Sequence, residues 1–201
     1  MGGMPVSSHA RVVPQEVYTM VFQLVSVLLD VIAALVAGSC LLRLAMQWQR
    51  VPFQQPMGRF VLAISDPIVL PLRRVLPRGH RLDISSLLAA WLVKLMQFVL
   101  LWLLAGADAS WGTVVLLSLL GLAQLCVSAL SAVVLVNAVL SWVQPGSLLY
   151  HLSARLCEPF LRPLRQILPL IGGVDLSPLA LLLILQLLGI VLANLMHFPL
   201  A

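Results

Sequence analysis

The chain has 201 residues, of which 61% are apolar and 9% charged, with a mean hydropathy of +1.06. A soluble globular domain carries about 25% charged residues, so that class is excluded. Twelve Lys and Arg against seven Asp and Glu leave a net charge of +5, which in so apolar a chain reads as membrane topology rather than nucleic-acid binding. Cys40, Cys126 and Cys157 are an odd, widely spaced set without a CxxC or a Cys/His cluster, so neither a disulfide framework nor a metal site is expected.

In chain order, residues 1–16 form a short, weakly polar tail. This tail lacks the basic region and cleavage site of a signal peptide, and the first apolar run is expected to be retained. A transmembrane helix needs about 20 mostly apolar residues. Val17 to Trp48 is the first such run, broken by Asp30 and Arg43; Leu87 to Leu104 is the second, with Lys94 its one charge. Val114 to Trp142 and Leu179 to Met196 are the third and fourth, both uncharged. The first and third exceed the hydrocarbon thickness and should tilt or project. Trp48, Trp111 and Trp142 fall at the boundaries, where interfacial aromatics concentrate.

The connection between the first two spans, Gln49 to Ser86, holds Arg50, Arg59, Arg73, Arg74, Arg78 and Arg81. The one between the last two, Val143 to Ser177, holds Arg155, Arg162 and Arg165, whereas the short middle connection has Asp108 and no basic residue. The positive-inside rule therefore places both long loops in the cytoplasm and both termini outside.

The two long loops match each other. Asp66-Pro-Ile-Val-Leu-Pro-Leu-Arg-Arg-Val-Leu-Pro77 aligns with Glu158-Pro-Phe-Leu-Arg-Pro-Leu-Arg-Gln-Ile-Leu-Pro169 at a shift of 92, and the register continues to Asp83/Asp175 and Ser85/Ser177. Eight of 20 positions over 66–85 are identical, including all three prolines. Upstream, Arg43 to Trp48 aligns with Asn137 to Trp142 at a shift of 94. The expected organisation is a tail (1–16), a first repeat (17–105), an external connection (106–113) and a second repeat (114–201). Each repeat is helix, amphipathic loop, helix, giving an all-α membrane protein of four transmembrane helices with a pseudo-two-fold axis along the membrane normal.

Asp66 is read as the cap of a short helix starting at Pro67, and Asp83, Asp175 and Ser177 as caps of the following spans. Ile68, Val69, Leu72, Val75 and Leu76 form an apolar face with Arg73 and Arg74 at its edge, suited to the headgroup layer. Two readings stay open: a surface connector, or a site where Arg73, Arg74 and Arg165 bind anionic lipid or a partner protein.

Ionisable groups inside a span cost about 2.5–3.5 kcal/mol each on insertion scales and therefore mark candidate sites. Asp30 and Lys94 lie at depths that let them meet, and their repeat equivalents are Gln124 and Gln186. This polar layer is read either as an interhelical clamp or as an ion or proton site centred on Asp30. Ala34 and Gly38 form a small-residue pair suited to close helix packing. There is no GxSxG, HExxH, phosphate loop or dinucleotide fingerprint, so no catalytic residue, cofactor or enzymatic activity is assigned.

The paired PLR and LP motifs, the run Gly172-Gly-Val-Asp-Leu-Ser-Pro178 and Ser141-Trp142 together resemble the YggT family of small bacterial inner-membrane proteins, in its two-repeat form. The resemblance covers about Tyr18 to His197. It implies an integral inner-membrane protein of poorly defined activity; the reading of the residues adds a non-enzymatic role with the bilayer, its anionic headgroups or another membrane protein as partners. Relatives are associated with osmotic or ionic stress tolerance, with division-linked gene clusters, and in plastids with membrane organisation and haem attachment to a b-type cytochrome. The haem role does not transfer, since no His pair or CxxC is present. Pro77-Arg-Gly-His-Arg-Leu-Asp83 replaces the diglycine turn in the first repeat, and Asn137 stands where the first repeat has Arg43.

Overall fold

A computed structural model describes residues 15–49, 56–75, 84–107, 110–167 and 175–197. All regular structure among them is helical: α1 (Gln15–Trp48), α2 (Pro56–Val75), α3 (Ile84–Leu104), α4 (Trp111–Val143), α5 (Leu148–Ile167) and α6 (Ser177–His197).

Four of these helices, α1, α3, α4 and α6, are long and apolar enough to cross a membrane. Their apolar residues run around the whole circumference, as a helix solvated by lipid requires. Leu24 is 71% exposed and Leu187 65%, surfaces that only a hydrocarbon environment covers at no cost. At 1.5 Å per residue, the 34 residues of α1 and 33 of α4 extend about 50 Å, well beyond a hydrocarbon core of about 30 Å. Trp48 and Trp142 stand exposed near the ends of α1 and α4, and Trp111 at the start of α4.

α2 and α5 differ in kind. Each has 20 residues, with a polar face opposite an apolar one. Both pass without interruption through two prolines, Pro67 and Pro71 in α2 and Pro159 and Pro163 in α5. This corrects the expected helix start at Pro67: Asp66 lies in the middle of α2 and caps nothing. An interior proline removes one amide donor and crowds the carbonyl four residues back. All four prolines are exposed, so the released carbonyls turn away from the core. Val61, Ser65 and Val69, each four residues apart, face inward and are buried, and this packed stripe holds the helix together across the prolines.

Two apolar clusters form the interior. Ala37 and Cys40 of α1, Val69 of α2, and Ala89 and Ala90 of α3 make one, with Ile68 and Leu72 against it. Val134 of α4, Cys157 and Leu161 of α5, and Leu181 and Leu185 of α6 make the other. Each cluster thus joins two long helices to one amphipathic helix.

The clusters meet along α3 and α4. A Cβ added at Gly121 would lie 2.6 Å from the Phe98 ring, so glycine sets how closely these two helices approach. Trp91 Nε1 donates to Ser118 Oγ across the same interface at 3.1 Å. At the opposite end, α3 closes with Gly106 in the left-handed region (φ 98°) and the Ala107 amide bonded back to the Trp102 carbonyl at 2.9 Å, which satisfies one of the last-turn acceptors. Ser110 caps α4 by accepting the Thr113 amide. The Ala34 and Gly38 pair does not serve as a close contact within the chain, since a Cβ at Gly38 would meet nothing within 4 Å.

Candidate functional site

In the first half of the chain two groups of buried polar side chains stand out. At the junction of α1 and α2, Arg43 is 3% exposed. Its Nη1 donates to Ser65 Oγ at 3.0 Å and to Asp66 Oδ1 at 2.6 Å. The Asp66 side chain is 37% exposed, so the ion pair has one buried and one wetted partner. Arg43 Nε has no partner. A buried guanidinium that lost Asp66 would have no counter-ion among the described residues, and for this reason the contact fixes α2 on α1.

Deeper in the membrane-spanning region, Lys94 Nζ donates to Gln97 Oε1 at 2.8 Å, and Gln97 Nε2 donates to Asp30 Oδ1 at 2.5 Å. Lys94 Nζ also lies 3.8 Å from Asp30 Oδ1. Asp30 and Lys94 are therefore brought together, with an amide bridging them. Lys94 and Gln97 are buried, whereas the Asp30 side chain is 63% exposed at the α1 surface. Gln97 is the residue sequence reasoning missed. Its signal was available, as a second polar group one turn from Lys94 on the same helix face.

In the second half the amides behave differently. Gln124 Oε1 is buried without a hydrogen-bond partner, and Gln124 packs beside Gly189 of α6, where an added Cβ would sit 3.6 Å from its Nε2. Gln186 is exposed and makes no hydrogen bond to Gln124. The expected amide pair is thus not formed. Gly189 occupies the position that corresponds, at the shift of 92, to Gln97, and without that bridging amide the helix faces leave the two glutamines apart.

Arg165, expected to face a lipid or partner, is engaged within the chain. Its Nε donates to Asp175 Oδ2 at 2.8 Å and its Nη1 to Glu158 Oε2 at 3.4 Å. Asp175 Oδ1 accepts the Ser177 amide at 2.9 Å, satisfying a first-turn donor of α6. Ser177 is the first residue of that helix and is fully buried, so it is the residue capped, and Asp175 supplies the cap. Burial pushes the Asp175 carboxyl up, but hydrogen bonds from Ser177 and Arg165, with the guanidinium charge, outweigh it and leave its pKa lowered. Nearby, burial pushes the Cys157 thiol up to about 11, against the opposing charge of Arg165, which makes it an unreactive core residue.

The side chains of Arg73 and Arg74, and all of Asp83, lie outside the described residues. Arg59 of α2 and Arg155 and Arg162 of α5 are exposed and make no ion pair among the described residues. No group of three His, Cys, Asp or Glu side chains is placed to hold a metal ion among the described residues. A cavity of about 610 Å³ opens between α1, α4, α5 and α6, lined by Leu41, Trp48, Cys126, Leu130, Phe160 and Leu185 among others.

Four membrane-crossing helices with two amphipathic helices pinned to them define a multi-pass integral membrane protein. The CCB3/YggT family model matches residues 19–104 and 116–196. The chain belongs to that family. It is 34% identical over 174 residues to the uncharacterized protein YggT of Escherichia coli, spanning 85% of this chain and 89% of that one. It is similarly 35% identical over 166 residues to an uncharacterized protein in the proC 3' region of Vibrio alginolyticus, spanning 81% and 88%. An uncharacterized Haemophilus influenzae protein matches at 30% over 147 residues, 72% and 78% of the respective chains. No solved structure matches.

Proposed function

We propose that this protein is a non-catalytic factor of the bacterial inner membrane, acting in membrane assembly, as a scaffold or in osmotic stress tolerance. In this reading α2 and α5 lie on the cytoplasmic face and form its working surface. The supporting observation is that two amphipathic helices are anchored from below, α2 by Arg43 on Ser65 and Asp66 and α5 by Asn137 accepting from Ser153 Oγ at 3.3 Å, while Arg59, Arg155 and Arg162 point outward. Side chains spent on holding a surface in place, with cationic groups left over, suit binding to anionic headgroups or to another membrane protein. The basic loops support the cytoplasmic assignment. The tandem-repeat reading, with its pseudo-two-fold axis and boundaries at 17–105 and 114–201, draws support from the two segments matched by the family model.

The test is photocrosslinking in membranes from residues placed at the exposed positions Leu70 and Gln166, followed by mass spectrometry. A defined membrane-protein partner captured from both positions supports the scaffold reading, and crosslinks to neither lipid nor protein overturn the surface assignment. Arg73→Ala with Arg74→Ala extends the test to the two arginines at the end of α2.

One observation favours a second reading. Asp30 presents a largely exposed carboxylate within a span and is linked to Lys94 through Gln97, an arrangement also found where membrane proteins handle ions or protons. Asp30→Asn combined with Lys94→Gln distinguishes the two. A scaffold keeps its phenotype-rescuing activity under osmotic shift, whereas an ion-handling protein loses it at unchanged expression.

A further inference from the structure

The polar residues of α3 and α6 point in opposite directions. In α3, Ser85, Ser86, Lys94 and Gln97 are all buried, as the cost of a polar group in hydrocarbon requires. In α6 the two amides, Gln186 and Asn194, are both exposed, and neither side chain has a hydrogen-bond partner among the described residues. Gln186 is the tenth of the 21 residues of α6, so it lies about 15 Å from either end, beyond the reach of the headgroups. A primary amide surrounded by acyl chains at that level leaves its donors and its acceptor unsatisfied. The exposed Asp30 carboxylate of α1 differs, because Gln97 bonds to it and Lys94 neutralises it from within the chain.

The two amides belong to one continuous face. At about 100° per residue, Leu179, Leu183, Gln186, Ile190 and Asn194 fall within an arc of about 80°, and all five are exposed. Leu181 and Leu185, which α6 buries against α4 and α5, lie on the other side of the helix. The cavity is on that other side too, lined from α6 by Leu181, Ile184, Leu185 and Leu188. The face is therefore left over once α6 has packed within its own chain.

Its chemistry selects the partner. A side-chain amide is donor and acceptor at once, so it is complementary to a second amide as a carboxylate or an ammonium group is not. Copies of one membrane protein share a topology, so their α6 helices run parallel, and a two-fold axis along the membrane normal sets each residue level with itself. Gln186 then meets Gln186 and Asn194 meets Asn194, with Ile190 packed between the two levels and Leu179 and Leu183 beyond Gln186. A different protein would have to supply amides at both levels with the same spacing. Polar residues on such a seam also fix register and the number of strands.

We propose that the protein forms a parallel two-fold dimer through this face of α6, held by reciprocal hydrogen bonds between the paired Gln186 and Asn194 side chains. Such a dimer forms whichever side of the membrane holds α2 and α5.

The test uses the full chain with Cys126→Ser, which removes the exposed native thiol, reconstituted in phosphatidylcholine vesicles and treated with a membrane-permeant copper oxidant after introduction of one cysteine at a time. Leu183→Cys and Ile190→Cys should give disulfide-linked dimers. Ile184→Cys and Leu188→Cys, exposed on the cavity side, should not. Dissociation is then read by fluorescence energy transfer between labelled copies at decreasing protein-to-lipid ratio. Gln186→Leu with Asn194→Leu should raise the dissociation constant roughly tenfold, and because both positions face outward, leucine leaves the interior packing as it was. A chain that stays monomeric at every ratio overturns the proposal. Crosslinks from Ile184→Cys and Leu188→Cys in place of the other two overturn it as well, by putting the contact on the cavity side. A dissociation constant unchanged in the double leucine variant does the same, by leaving the amides without a role. Capture of a different protein and no second copy from a photoreactive residue at Ile190 in bacterial membranes would give the face to that partner and also overturn the dimer.

Discussion

The first half of the chain stabilises its interior with charge and the second half does so without it. Where α1 meets α2, a buried arginine is tied to a serine and an aspartate; where α4 meets α5, Asn137 takes the place of Arg43 and bonds only to Ser153. Deeper in, Asp30, Gln97 and Lys94 form a continuous chain of contacts, while Gln124 is left with an unpartnered oxygen beside Gly189. The second half uses its charges further out, where Arg165 joins Glu158 and Asp175. The lesson is that one helix-loop-helix plan tolerates either solution so long as the apolar clusters are kept. A charged clamp is hard to remove one piece at a time, because the piece left behind is stranded. An uncharged contact is weaker and its loss is correspondingly mild.

This comparison can be broken most directly at Asp66. Asp66→Ala leaves the Arg43 guanidinium buried without a counter-ion and should cost about 3 kcal/mol, measured by thermal unfolding in detergent, with α2 becoming sensitive to protease. Its counterpart Glu158→Ala removes an exposed contact and should cost at most about 0.5 kcal/mol. Equal losses would show that the two halves are held alike. Next in size is the intramembrane layer. Gln97→Leu severs the bridge between Asp30 and Lys94 and should cost about 1–2 kcal/mol. Gln124→Leu instead removes an unsatisfied buried acceptor and should be neutral or slightly stabilising in the same assay.

The smallest effect concerns pH. The Asp175 carboxyl is depressed below its ordinary 3.8 in the folded chain, so its contribution is fully present above that value and is lost as pH falls through the folded pKa. The amount is about 0.5 kcal/mol at this partly exposed site. Hydrogen-exchange protection at the first turn of α6, relative to the intrinsic rate at each pH, should fall as pH drops below the ordinary 3.8, and Arg165→Gln should flatten that dependence. An unchanged profile in the variant would mean that the Ser177 contacts alone hold the carboxylate.

The four long helices were legible because an uninterrupted apolar run of membrane length has few other fates. Asp30 and Lys94 were legible as neighbours for a related reason, since helix rise converts sequence position into depth. The course of α2 and α5 was not. A proline preceded by an aspartate is a common helix start, and the local signal could not report that Val61, Ser65 and Val69 would hold one helix through both prolines. Arg43 was visible as a charge in a span, but its partner Asp66 was already assigned to capping. The two carboxylate partners of Arg165 lie seven and ten residues away, and a loop fold decides whether they meet.

The side-by-side placement of Asp30 and Lys94 bears on how the protein responds to membrane voltage. A potential of 100 mV exerts about 2.3 kcal/mol on a unit charge carried across the bilayer. Opposite charges held 3.8 Å apart experience opposite forces, so a field along the membrane normal exerts almost no net force on the pair and acts instead to shear α1 against α3, a displacement that the contact itself resists. Removing either charge alone would turn an electrically silent helix pair into one with a single uncompensated charge in the field.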